Sequence, residues 1–502
     1  MNKVTRPVTR PEPESIEQLA APPRDFRLPV VLQRKDWVTT AEKFRQCKRP
    51  TLLHWNGDFL DYRKGAYHEL EDLAVMSDIV SFFNWAVVRV QGEDGGAWVE
   101  RPYDAEPKQW SALFHALKCE SYTARDEMAP PCWLNDAGNP SPLECISLQN
   151  CILHVPTRKC AEPTPNFFTR NALNFDYDPD AACPLWLNTL EQYWPSNLDS
   201  TTAGEVFLLQ EIMGYLLLPD TSLQKIFVLL GPGRSGKGTI ARVITMLLGE
   251  LNVAASSLQA LAQEPFGRQP LIAKTAAIIS EAAIGPKIDK VTVTGHLKAI
   301  SGEDNVQVDR KNRVSWVGKL LTRFLLLVNK IPNFADDSSA FSARLVVLRM
   351  TNTFVGREDK ALTDKLRTEL PGILNWALEG YDRLKANGKF TETESSDAAK
   401  ESFQRAASPT ATFVEECCVL DAKAFITETA LYVAYQQWCA SNGARPDIKT
   451  ELCEAVLAAS PTVKRHRIAA AIDSQRPRGL LGIRLPLPEE RAPPVDAPEI
   501  PF

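Results

Sequence analysis

Ile226-Phe227-Val228-Leu229-Leu230 runs straight into Gly231-Pro232-Gly233-Arg234-Ser235-Gly236-Lys237-Gly238-Thr239, and an apolar-periodic stretch from Ile240 to Leu248 follows. Five consecutive apolar residues bounded by glycine read as a strand buried on both faces, and the stretch after Thr239 reads as a helix. Strand, glycine turn, lysine and helix arrive in the order that a phosphate cradle requires. The glycines let backbone N–H groups converge on phosphate oxygens, the helix N-terminus adds partial positive charge, and Lys237 reaches the β- and γ-phosphates. Gly231, Gly233, Arg234, Ser235, Gly236, Lys237, Gly238 and Thr239 are therefore the expected nucleotide-binding residues. Gly238 stands where such a turn usually carries the hydroxyl that ligates Mg²⁺, so the expectation passes to Thr239, one place later.

Outward from the turn, short apolar segments at Ile226–Leu230, Thr275–Ser280, Phe324–Val328 and Leu345–Met350 alternate with helical ones between 224 and 350, which is the signature of an α/β core with crossover helices. Thr275 to Ser280 reads as a second strand ending in Glu281, a carboxylate placed to polarise an attacking water or support a metal ion. The competing reading is a surface glutamate. Phe324 to Val328 reads as a third strand ending in Asn329, whose uncharged amide suits a γ-phosphate sensor, with a helix cap or turn former as its plainer role. Between them, Asn305 to Val317 alternates around a polar turn and reads as a hairpin with Arg310, Lys311 and Arg313 near its tip. Residues 296–330 hold seven Lys/Arg against three acids, a local basic excess suited to nucleic-acid phosphates or else a solvated hairpin tip.

Composition limits the alternatives. The 502 residues imply three or four domains, and 44% hydrophobic with 24% charged residues is ordinary for globular chains. A formal charge of −5 excludes a histone-like polycation, so any nucleic-acid contact must be local. Eleven cysteines contain no C-x-x-C pair, which fits reduced thiols in a cytosol, and no apolar run approaches the ~20 residues of a membrane span. No secretory h-region opens the chain. The organisation reads as a Pro-rich tail (1–29), an α+β domain (30–155), a helical connector (156–222), the α/β core (223–355), a helical lid or linker (356–410), a further folded unit (411–485) and an acidic Pro-rich tail (486–502).

The order of these elements resembles the superfamily III helicases, AAA+ motors of viruses, phages and plasmids, and more narrowly the C-terminal helicase part of phage and plasmid primases related to the poxvirus primase-helicase. The matching stretches are Gly231–Thr239 as Walker A, Ile278 to Glu281 as Walker B, Lys298 to Asp309 with its hairpin, Asn329 to Phe334 as motif C, and Asp336 to Arg344 as the arginine-finger stretch. Phe175 to Pro179, Leu366 to Trp376, and the surroundings of Leu431 and Trp438 extend it. The resemblance implies an AAA+ P-loop core and a ring, a hexamer, with ATP and Mg²⁺ held between neighbouring subunits. Lys237, Glu281, Asn329 and Arg344 would be catalytic, Thr239 and Glu281 would support the metal, and Arg349 competes with Arg344 as the finger. Single-stranded DNA would follow Arg310, Lys311 and Arg313 through the channel, in the cytoplasm of a bacterial host.

Two departures qualify what the resemblance implies. Ser280 stands where many relatives carry an acid, and the D-x-D at Asp176–Asp178 lacks the partner carboxylates and histidine of a primase, so no primer synthesis is expected. The 411–485 unit resembles a winged helix, with Lys464, Arg465, Arg467, Arg476, Arg478 and Arg484 forming a basic face for duplex or origin DNA, and His466 a surface residue. The terminal Glu499-Ile500-Pro501-Phe502 resembles the tip of bacterial single-strand-binding proteins, which implies host replication proteins as partners. Three functions follow: an ATP-driven DNA helicase of a mobile element, a nucleotide-gated origin-binding or melting ring, and a P-loop small-molecule kinase. The last rests on the Gly-Lys-Gly-Thr ending alone, and the kinases that share it are short chains opening with the turn.

Overall fold

The computed structural model describes residues 29–91, 97–124, 129–135, 138–195, 202–280, 282, 289–311, 313–330, 334, 340–407, 409–442, 446–460, 462–467 and 478–486. It is a mixed α/β protein, and its chain divides into two compact units. The first unit closes at Ala129. In it, Val30–Leu32 pairs in parallel with Ala86–Gln91, and Trp98–Pro102 adds antiparallel to the latter. Helices Trp37–Lys48, Asp72–Phe83 and Pro107–Glu120 supply Phe44, Ile79, Phe82, Leu113 and Leu117 to its core. Arg49 ties this unit together, donating to Asp61 at 2.7 Å and reaching Asp78 at 2.5 Å, with Thr51 closing the network on Asp61 at 2.7 Å. Reading residues 30–155 as one domain runs past this boundary. Ile146, Leu148, Leu153 and Val155 instead share a core with Trp186 and Leu190 of the second unit.

In the second unit, residues 156–183 are not helical as the connector reading has it. Lys159–Ala161 is the third strand of an antiparallel sheet with Ile152–His154 and Cys145–Ser147, and the connector helices are Pro184–Tyr193 and Thr202–Leu217. Strands of two or three residues, largely buried or, at Lys159–Ala161, exposed throughout, are too short to show a period that tells them from a connector.

The core is a five-stranded parallel sheet. Its strands are β1 (Ile226–Leu230), β2 (Val253–Ala255), β3 (Ala276–Ile279), β4 (Arg323–Val328) and β5 (Leu345–Arg349), in the spatial order β2-β3-β4-β1-β5. Four of them are the strands that the apolar segments anticipate. β2, three residues in a small-residue stretch, carries no such signal. Alternate residues of β1 serve two cores: Phe227 and Leu229 on one face, Ile226 and Val228 on the other. Burial on both faces is why the strand is apolar without alternation, and each fully buried side chain of this size contributes roughly 1.5–3 kcal/mol.

On the first face, helix Thr202–Leu217 crosses helix Leu370–Asn387 closely enough that a β-carbon at Gly214 would collide with the carbonyl of Ala377. The same crossing buries Glu211 completely, where it accepts from Arg383 at 2.8 Å and from the Thr391 backbone at 2.7 Å. On the second face, helix Lys290–Ser301 and the hairpin Asn305–Arg310/Arg313–Lys319 contribute Val293, Leu297, Val306 and Val308. The last segment runs helix Pro409–Cys417, strand Val419–Thr427, helices Glu428–Asn442 and Lys449–Ala459, then strands Lys464–Arg467 and Arg478–Arg484, with Arg478–Arg484 central in their sheet. Phe413, Leu431, Tyr435, Leu452, Val456, Leu480 and Ile483 form its core.

Gly214→Ala tests the helix crossing. Alanine favours an isolated helix by ~1 kcal/mol, but here the collision should outweigh that gain and cost about 1–3 kcal/mol. The expected result is a lower midpoint in thermal denaturation; an unchanged or higher midpoint would show that the two helices need not approach so closely.

Candidate functional site

The glycine turn lies at the C-terminal ends of β1, β4 and β5. Gly231 N–H donates to Val328 O of β4 at 3.1 Å, and Met350 N–H donates to Leu230 O at 2.7 Å, so the turn leaves β1 between its two neighbours. The helix Lys237–Leu248 starts immediately after Gly236, whose φ of 98° is left-handed. Lys237 is only 9% exposed. Its ammonium donates to Gly231 O and Pro232 O, both at 2.6 Å, and to Ser235 Oγ at 3.3 Å. Burial pushes this amine below the ordinary lysine range. The loop's own oxygens thus surround a desolvated cation at the positive end of a helix, a setting that phosphate oxygens would fit. Arg234, also at positive φ, pairs with Glu358 at 3.3 Å in an exposed position, worth little to stability.

The connector closes over the turn, a contact that no local sequence signal announces. The ring of Tyr193 packs on Gly236, where an added β-carbon would lie 2.6 Å from Tyr193 Cζ. Asn352 holds the end of that helix, donating to Tyr193 O at 3.0 Å, while Trp194 Nε1 donates to Arg349 O at 2.9 Å. Tyr193 is buried, which raises its phenol above the ordinary range, opposed by a hydrogen bond with Thr239 and the charge of Arg242. Thr239 Oγ1 also accepts from Arg242 Nη2 at 3.1 Å. The Thr239 hydroxyl is therefore engaged with the connector side, and Gly238 is exposed at the position before it.

Asn329 follows Val328, the residue paired with Leu230, and is exposed beside the turn. Glu281 lies outside the described residues; on either side of it, Ser280 is exposed and Ala282 N–H donates to Leu327 O at 3.2 Å. Among the described residues no group of three His, Cys, Asp or Glu could hold a metal ion. Arg344 precedes β5, whose first residue pairs with Ile226, so it sits at the edge of the sheet opposite the turn. Across a five-residue strand that is roughly 16 Å at 3.3 Å per residue. Arg349, at the other end of β5, pairs with Leu230 beside the turn.

The hairpin is present, with Arg310 paired to Arg313 and Lys311 exposed at the tip, its backbone N–H donating to Gln269 Oε1 at 3.2 Å. Arg323, one of the seven cations in 296–330, is not part of a basic surface. It is buried, donates to Leu216 O and Leu321 O at 2.6 and 2.8 Å, and lies over the Tyr215 ring; desolvation lowers it to about 10. Arg476 and the Glu499–Phe502 tip lie outside the described residues, and no helix among the described residues is long and apolar enough to cross a membrane.

Residues 140–195 match a family model described as D5 N terminal like, and residues 229–344 match one described as a family of unknown function, DUF5906. Among solved structures, the A form apo structure of the NrS-1 C-terminal region is 11% identical, with TM-score 0.48, over 90% of this chain and 100% of that one. A second apo structure of that region is 12% identical with TM-score 0.47 over the same shares.

Gly236→Ala should place a β-carbon against the Tyr193 ring at a left-handed φ, at a cost of about 1–3 kcal/mol. Calorimetric titration with a nucleoside triphosphate should show affinity at least tenfold below wild type, with full affinity showing instead that the turn does not need this conformation. The two matched segments, 140–195 and 229–344, are the ones that supply Tyr193 and the glycine turn it covers.

Proposed function

We propose that the chain is an ATP-dependent DNA helicase of a phage, plasmid or other mobile element, acting as a ring at its replication origin. The observation that carries the reading is the buried Lys237 ammonium, held by loop oxygens at the C-terminal end of β1 with Asn329 on the adjacent strand. The D5-like match lends support, since it includes Phe175 to Pro179, one of the stretches that carry the helicase resemblance.

In this reading Lys237 exchanges Gly231 O and Pro232 O for the β- and γ-phosphate oxygens, and the loop N–H groups hold the remaining charge. Asn329 orients the attacking water or the γ-phosphate by hydrogen bonding without adding negative charge. Glu281 polarises that water. Arg344, on the far edge of its own sheet, serves a neighbouring subunit, where a planar permanent cation stabilises charge on the transferring phosphoryl group. Arg349 beside its own turn suits a role within the subunit. Mg²⁺ would supply charge neutralisation between the phosphates. Arg310, Lys311 and Arg313 carry DNA phosphates on the hairpin.

A second reading, a nucleotide-gated origin-binding ring without processive unwinding, is favoured by one feature: the Thr239 hydroxyl is turned to Arg242 and Tyr193, and Gly238 offers none. Strand displacement separates the two, and hydrolysis stimulated by single-stranded DNA separates both from a kinase.

Lys237→Ala should reduce ATP hydrolysis to background, while Lys311→Ala should leave basal hydrolysis near wild type and remove its stimulation by DNA. Unwinding by both variants would contradict these roles. A β-carbon at Gly238 would meet only the Arg242 guanidinium, at 3.3 Å, so serine is sterically admissible. Gly238→Ser should lower the Mg²⁺ concentration for half-maximal nucleotide binding several-fold; an unchanged Mg²⁺ dependence would show that the ion does not approach this position.

A further inference from the structure

Position 238 is where a glycine turn of this kind carries the hydroxyl that ligates Mg²⁺, and this chain has a glycine there. The missing side chain leaves room. Four residues on in the same helix, Lys237–Leu248, stands Arg242, and helical side chains lean toward the N-terminus, so a long one at i+4 lies over position i. Its guanidinium fills the space: Nη1 would lie 3.3 Å from a β-carbon at Gly238. Mg²⁺ keeps ~2.1 Å from an oxygen ligand, so an ion on a serine hydroxyl at 238 would stand out from the β-carbon by a similar distance. A side-chain cation occupies that neighbourhood here.

Two elements fix the guanidinium. Nη2 donates to Thr239 Oγ1 at 3.1 Å, and Nε donates at 3.1 Å to Thr363 Oγ1 of the helix Leu362–Arg367. Both acceptors are neutral hydroxyls, and among the described residues Arg242 makes no ion pair and Nη1 donates to no acceptor. An exposed arginine held this way keeps its whole charge and one edge of its planar fork for an anion. Bonds from such a group to phosphate are charge-assisted and stronger than those of neutral pairs.

We propose that Arg242 is a nucleotide-binding residue, donating through Nη1 to phosphate oxygens on the Gly238 side of the turn, and that this contact carries part of the charge neutralisation for which turns with a hydroxyl at this position use a divalent cation. One positive charge stands in for part of an ion's two, so Mg²⁺ adds to affinity without being required for it. The proposal rests on a nucleoside triphosphate occupying the glycine turn, and its test separates the two.

The test is calorimetric titration of the full chain with a non-hydrolysable ATP analogue, in saturating Mg²⁺ and again in EDTA. Wild type should lose less than about tenfold in affinity when the ion is removed. Arg242→Ala should bind close to wild type in Mg²⁺ and fall about tenfold or more below it in EDTA, the scale of one hydrogen bond to a charged group. Arg242→Lys, which keeps the charge, should recover part of that loss. Arg242→Gln keeps a polar stem without the charge, should show the same selective loss in EDTA, and holds the test open if the alanine variant misfolds. Wild-type binding that vanishes in EDTA, with Arg242→Ala unchanged from wild type in both conditions, would overturn the role of Arg242 and leave the nucleotide reading in place. An equal loss in Arg242→Ala with and without Mg²⁺ would do the same. Absence of wild-type binding in both conditions would overturn the nucleotide reading together with the proposal.

Discussion

A desolvated ammonium must have oxygen around it, and the position of Lys237 makes the loop Gly231–Thr239 supply that oxygen. Gly231 O, Pro232 O and Ser235 Oγ converge on Nζ because the chain turns back over the lysine at the end of β1. Burial disfavours the charge, and these dipoles offset that cost. The same geometry presents a cation and a helix N-terminus to a polyphosphate. What stabilises the folded loop is therefore what a phosphate would replace.

The surrounding architecture keeps that loop in register. β1 is held on both sides in parallel by β4 and β5, and its two faces are sealed by separate cores. From the connector, Tyr193 covers Gly236, and Asn352 and Trp194 fasten the connector back to the end of β5. A displacement of the helix Pro184–Tyr193 would move the ring against Gly236, so the segment that matches the D5-like family and the segment that matches DUF5906 meet at the turn. Arg344 and Arg349, at opposite ends of one strand, divide the sheet into an edge facing its own loop and an edge facing away from it.

Much of this was legible from residue order. A glycine turn between an apolar pentamer and an amphipathic run has few other outcomes, and four core strands were long and apolar enough to stand out. β2, with small residues and only three positions, was not, and neither were the strands of 145–168, each two or three residues long and without an alternation of buried and exposed positions. Local pattern also assigned Arg323 to a basic surface, although its guanidinium is buried against Leu216 O and the Tyr215 ring. Charge counted along a chain does not know which side chains a fold encloses. The Tyr193 contact was hidden for another reason: it joins residues more than forty positions apart, and nothing in the local composition of either marks the other.

Hydrogen exchange of the Gly231–Thr239 amides, with and without magnesium and a non-hydrolysable ATP analogue, bears most directly on the central claim. Nucleotide should slow exchange across the loop and the first turn of its helix, because their N–H groups would then donate to phosphate. Exchange unchanged at saturating nucleotide would contradict it, and the buried lysine would be no more than a structural peg for the turn.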